Sequence, residues 1–166
     1  MATAYLALGA NLGDRQGAIA RALDALDAAG ARVAARSPLY ETDPVAPDPQ
    51  PLYLNGAARV ETTLSPRALL DLCLEVERSL GRIRPTDRPL AARTIDIDLL
   101  LYDDAVIDEP DLAVPHPRLL ERAFVRIPLA DVALPGLTHP ITGEPLDQAP
   151  PSPSVRSPRP TERGEG

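Results

Sequence analysis

The stretch Arg93-Thr94-Ile95-Asp96-Ile97-Asp98-Leu99-Leu100-Leu101-Tyr102 constrains this chain most, because its alternation of apolar and acidic residues fits a strand and not a helix. Residues two apart share a strand face, so Asp96 and Asp98 point together while Ile95, Ile97, Leu99 and Leu101 line the opposite face. The Cα atoms of the two aspartates then lie roughly 7 Å apart. Two like charges that close on a sheet surface need water or a cation between them. A divalent ion is the simplest remedy.

The sequence around this strand divides by period. Thr3 to Leu8 is a short apolar run ending at Gly9, and Ala10-Asn11-Leu12-Gly13-Asp14 marks a tight turn. Arg15 to Ala29 repeats apolar residues at Ile19, Ala22, Leu23 and Leu26, a helical face, with Gly30 as its stop. Strands are predicted over Ala31 to Tyr40 and Asn55 to Thr62. Between them Pro44, Pro47, Pro49 and Pro51 allow neither helix nor ladder pairing. Ser65-Pro66 opens a second helix, predicted to about Leu80. Its buried stripe is Leu69, Leu72, Cys73, Val76 and Leu80, with Glu77 on the border. Gly81 to Arg93 lacks periodicity and reads as a loop. After the Asp96 strand, Asp103-Asp104 turns the chain back into Ala105 to Ile107, and Arg118 to Phe124 suggests a short helix. The order strand, helix, strand, strand, helix, strand is that of a ferredoxin-like α/β (α+β) sandwich, βαββαβ, with a mainly antiparallel sheet and C-terminal additions.

One domain over residues 1–147 is expected, since 166 residues with 44% apolar side chains can bury a core of their own. Residues 148–166 are rich in Pro, Ser and Arg with few apolar side chains, and a disordered tail is expected there. No run approaches the ~18 apolar residues of a membrane helix, so a soluble, cytoplasmic protein is expected. A net charge of -7 argues against a general nucleic-acid binder, which must neutralise backbone phosphates. Cys73 is the only cysteine, which leaves no internal disulfide and no thiolate zinc cage, so it reads as a small buried hydrophobe.

All 17 basic side chains are arginines. Without lysine there is no P-loop, no protein-kinase strand lysine and no Schiff base. Any phosphate must be met by guanidinium groups, and Arg78, Arg82, Arg84, Arg88 and Arg93 cluster just ahead of the aspartates. Alone, that cluster reads as a solvated loop and the aspartates as an exposed sheet face. Together they match what a magnesium-nucleotide site requires. His116 sits between two prolines that limit its movement, which suits a structural turn as well as a site. Tyr53 and Phe124 read alone as core. The Asn55 amide can cap a turn or read the edge of a heterocycle.

Taken in order, these segments closely resemble the 6-hydroxymethyl-7,8-dihydropterin pyrophosphokinase family, from about residue 3 to residue 147. The resemblance is carried by Ala7-Leu8-Gly9-Ala10-Asn11-Leu12-Gly13-Asp14, Tyr40-Glu41-Thr42-Asp43-Pro44, Tyr53-Leu54-Asn55, Glu75-Val76-Glu77 with Gly81-Arg82-Ile83-Arg84, Arg93 to Asp98, and Val114-Pro115-His116-Pro117 with Arg122-Ala123-Phe124. It implies transfer of pyrophosphate from ATP to a pterin alcohol in folate biosynthesis, with AMP leaving.

By the same resemblance Asp96 and Asp98 hold two magnesium ions, and Arg82 and Arg93 are loop arginines that assist transfer. Glu77, Arg84, Leu99, His116 and Arg122 bind ATP. Thr42, Pro44, Val45, Tyr53, Asn55 and Phe124 bind the pterin. A monomer acting on small molecules, without nucleic acid or membrane, is implied. One departure stands out: many relatives have a tryptophan between Arg88 and Arg93, where this chain has Pro89-Leu90-Ala91-Ala92. The competing expectation is a noncatalytic ferredoxin-like module that binds a small ligand without consuming ATP.

Overall fold

A computed structural model describes residues 1–10, 14–42, 53–81 and 95–156. The chain forms β1 (Ala2–Ala10), α1 (Arg15–Ala28), β2 (Ala31–Arg36), β3 (Tyr40–Thr42), β4 (Tyr53–Thr62), α2 (Pro66–Gly81) and β5 (Asp96–Tyr102). After these come β6 (Ile107–Glu109), β7 (Leu112–Val114), a single 3-10 turn (Leu119–Glu121), α3 (Ala123–Val132) and β8 (Val155–Arg156). The main sheet runs β5-β1-β4-β3-β8, with β2 also paired to β4, and every pairing is antiparallel. Two split β-α-β units interleaved in this way are the ferredoxin-like arrangement that the element order predicts.

Each helix starts where its capping side chain stands. Asp14 accepts from the Gly17 N–H at 2.9 Å to open α1, and Ser65 Oγ accepts from the Ala68 N–H at 3.1 Å to open α2. Gly30, at φ 111°, takes the left-handed conformation that turns the chain into β2. Helices α1 and α2 lay Ile19, Leu23, Leu26, Leu69, Cys73 and Val76 on one sheet face, against Leu6, Leu8, Ala58, Val60, Ile95, Ile97 and Leu99. Burial pushes the Cys73 thiol up to about 12, so it stays neutral, in keeping with a buried hydrophobe. A second core on the opposite face joins Tyr5, Ala57, Leu100 and Leu101 to Leu119, Val125, Leu129 and Val132.

Several expectations are corrected. The predicted strand from Ala31 to Tyr40 is two strands, because Pro38 cannot donate to a ladder; Ser37 fills the gap, its N–H donating to Ala57 O and its Oγ accepting from Ala57 N–H. Leu101 does not share a face with Leu99. The pairing of Leu6 with Leu99 and Tyr5 with Leu101 leaves Leu100 as an extra, bulged residue, so Leu100 and Leu101 both enter the second core. The helix expected over Arg118 to Phe124 is broken at Arg122, whose backbone is extended, so Arg118 and Arg122 do not share a helix face; α3 begins at Ala123 and continues through buried Pro128. The returning strand is Ile107–Glu109, paired with β7 in a separate two-stranded sheet. Within the tail, Val155 and Arg156 pair with β3, whose outer edge offers unpaired backbone groups. Residues 157–166 of that tail lie outside the described residues.

Candidate active site

The sheet register gathers the predicted site residues on the face that carries the second core. Asp96 is opposite Gly9, Gly9 opposite Asn55, and Asn55 opposite Tyr40. One row along, Asp98 is opposite Ala7, and Ala7 opposite Ala57. Directly opposed residues share a face, so acid, amide and phenol stand in one line across four strands. Thr42 and Tyr53 form the next opposed pair on this face.

Small residues on β1 make this line usable. A Cβ at Gly9 would come within 2.7 Å of Asn55 Oδ1, so only glycine lets the Asn55 amide lie flat beside β1. Its other end is pinned: Asn55 Nδ2 donates to Thr42 Oγ1 at 2.6 Å, and both residues are buried. Tyr53 is half-buried; burial and then the Asp96 charge raise its phenol above the ordinary value, which puts that hydroxyl within reach of the carboxylate's field. Tyr40 donates to Asp131 of α3 at 2.5 Å. Burial, that hydrogen bond and the Asp131 charge push Tyr40 up to about 12.

The other wall comes from the segment after β7. The His116 N–H donates to Leu100 O at 2.9 Å, which fastens this segment to the bulge of β5. Its Nδ1 accepts from the Arg118 N–H at 3.1 Å, so the neutral ring carries its proton on Nε2. Burial lowers the His116 pKa; the Asp98 carboxylate opposes this, and the Arg122 and Arg118 charges add to it. Asp98, Arg118 and Arg122 therefore each lie close enough to act on the His116 ring. The Arg122 guanidinium lies 5.6 Å from the centre of the Phe124 ring, within cation–π range.

Glu77 accepts from the Ile97 N–H at 2.7 Å, which joins the border residue of α2 to the outer edge of β5. Leu99 is different. Its side chain is buried in the core with Ile95 and Ile97, on the face away from the aspartates, so what it can offer a ligand is its backbone. Arg82, Arg84, Arg93, Pro44 and Val45, with the Pro89 to Ala92 segment, lie outside the described residues. Sequence reasoning gave no role to Gly9, Tyr40 or Asp131. The signal for Gly9 was a glycine closing an apolar strand; nothing local marks the other two.

Among the described residues no three or more His, Cys, Asp and Glu side chains cluster as a ready metal cage. A pair of carboxylates is nevertheless the donor set that suits magnesium, which keeps several waters and shares its coordination with substrate phosphates. Asp96 and Asp98, on one face and beside Gly9 and Ala7, fit that use. Among the same residues no helix is long and apolar enough to cross a membrane.

Residues 5–134 match the family of 7,8-dihydro-6-hydroxymethylpterin-pyrophosphokinase. The chain belongs to this family. It is thus an enzyme of folate biosynthesis, which sets aside the noncatalytic module. The pyrophosphokinase is 44% identical over 134 residues to 2-amino-4-hydroxy-6-hydroxymethyldihydropteridine pyrophosphokinase of Methylorubrum extorquens, across 80% of this chain and 84% of the relative. It is 44% identical over 130 residues to the Pseudomonas aeruginosa protein of the same name, across 78% and 79%. Among solved structures, wild-type Plasmodium falciparum HPPK-DHPS shares the fold, with a TM-score of 0.70 at 15% identity over 88% of this chain. The pyrophosphokinase spans 43% of that longer chain.

Proposed function

We propose that the face bearing Asp96, Asp98 and Asn55 brings magnesium-ATP and 6-hydroxymethyl-7,8-dihydropterin together for direct transfer of pyrophosphate. The observation that carries this reading is the single line of Asp96, Gly9, Asn55 and Tyr40 across the sheet, with Asp98, His116 and Arg122 beside it. Asn55 and Thr42 read the pterin edge, and Tyr53 and Phe124 flank its ring. His116 Nε2–H and Arg122 meet phosphate oxygens, joined by Arg84, and Arg82 and Arg93 assist transfer. Glu77 and the Leu99 backbone hold the nucleoside end, while Pro44 and Val45 complete the pterin pocket.

The hydroxymethyl oxygen of the pterin attacks the β-phosphorus of ATP. A new O–P bond forms, the bond from the β-phosphorus to the oxygen it shares with the α-phosphorus breaks, and AMP leaves with that oxygen. The substrate hydroxyl loses its proton to solvent. Catalysis of such a step is alignment and charge neutralisation. Two magnesium ions at Asp96 and Asp98 would supply Lewis-acid neutralisation of the phosphate oxygens. The protein's own contribution is to hold the pterin edge at Asn55 two strands away from the carboxylates, roughly 10 Å across β1, while the arginines and His116 fix the phosphates.

The enzyme acts on these two small molecules as a monomer in the cytoplasm. Protein, ATP, magnesium and the pterin should yield AMP, and Asp96→Asn should lower turnover on the order of a hundredfold with the far-ultraviolet spectrum unchanged. Formation of ADP, or no turnover by the unaltered chain, overturns the reading.

A further inference from the structure

Strand β3 is short for the work it does. It has three residues, Tyr40–Thr42, near the lower limit for strands, and its inner edge is held by β4. Thr42, its last residue, is the acceptor that pins the Asn55 amide. Any freedom in β3 passes directly to the group that faces the pterin.

The outer edge of β3 is closed from the far end of the chain. Strand β8 pairs Arg156 with Glu41 and Val155 with Thr42. The Val155 N–H is spent on Ser152 O at 3.2 Å, closing the turn that delivers the strand, so the Arg156 N–H is the donor β8 retains for the ladder. Helix α3 backs the same place. Asp131 receives the Tyr40 hydroxyl, and Ile127, Ala130 and Asp131 face Ala149, Pro151 and Val155 across a shallow cleft. Val155 and Arg156 both lie beyond the residues 5–134 that match the family.

We propose that β8 is a positioning element for the pterin: by completing the edge of β3 it fixes Thr42, and through Thr42 the Asn55 amide. The proposal rests on the pterin reading of this face given above. Strands β5 and β8 stand at opposite edges of the sheet, so the element acts on one substrate and not the other. With the edge open, water competes for the β3 backbone, Thr42 loses its fixed place, and the amide must be re-ordered each time a pterin binds.

Steady-state kinetics on the full chain test this. Arg156→Pro removes the ladder donor, and Arg156→Ala keeps it while removing the same side chain. Arg156→Pro should raise KM for the pterin about tenfold, equivalent to about 1.4 kcal/mol, with kcat and KM for ATP unchanged, and Arg156→Ala should match the unaltered chain. The proposal is overturned by an unchanged pterin KM in Arg156→Pro, by an equal rise in both KM values, or by the same rise in Arg156→Ala. Absence of pterin-dependent AMP from the unaltered chain is a separate result; it removes the underlying reading and this one with it.

Discussion

At the scale of single residues, what could be read in advance depended on whether the information lay within one strand. Alternation alone puts Asp96 and Asp98 together, and the sheet keeps them so. Gly9 could not be read that way. Its importance comes from Asn55, which lies 46 residues on in the sequence and becomes its neighbour only through the register of β1 with β4. Asn55 cannot simply swing away from an added methyl group, because Thr42 holds its other end in a buried setting. Gly9→Ala should therefore raise KM for the pterin by about tenfold, the equivalent of one displaced hydrogen bond at about 1.4 kcal/mol, with KM for ATP held. Kinetics with each substrate varied in turn would check it, and an unchanged pterin KM would show that the amide has room to spare.

At the scale of elements, local signals located both main helices, since a capping residue and an apolar stripe are short-range properties. They failed where one proline or one inserted residue resets the pattern. Pro38 split a strand, and Leu100 shifted the alternation of β5. The turn beyond α3 was also unread, yet it carries a clear physical device. His139 is buried, and its Nδ1 accepts from the Ile141 and Thr142 N–H groups, each at 3.2 Å, while Leu146 pairs back to Leu137 and enters the second core. Burial lowers the His139 pKa, with Glu144 opposing. A lowered value means that the unfolded chain binds the proton more readily. The stabilisation is then complete above the unfolded value of about 6.5 and is lost as the pH falls through it toward the folded value. His139→Asn offers an oxygen acceptor that does not titrate. Denaturation midpoints compared between about pH 8 and about pH 5 should fall further for the unaltered chain than for this variant; parallel slopes would refute the assignment.

At the scale of the whole molecule, the interleaved order of strands and helices was enough to foresee the antiparallel sheet and its helical cover. The pairing of β8 was not legible, because a two-residue strand has no periodicity to detect and its partner is more than a hundred residues away. The sheet divides the molecule into two cores with different duties: the α1/α2 side holds the fold together, while the α3 side also carries the site's walls. Leu69 and Leu129, both fully buried, sample one core each. Leu69→Ala and Leu129→Ala should each cost about 3 kcal/mol in chemical denaturation, but only Leu129→Ala, beneath the wall that bears Phe124, should also raise KM for the pterin. Equal kinetic damage from both would mean that the cores are not independent. The division also bears on how such a catalyst could be made hardier. The apolar side chains between α1, α2 and the sheet, with Glu77 left in place, can be redesigned for heat resistance, because a layer of paired strands stands between them and the reacting groups.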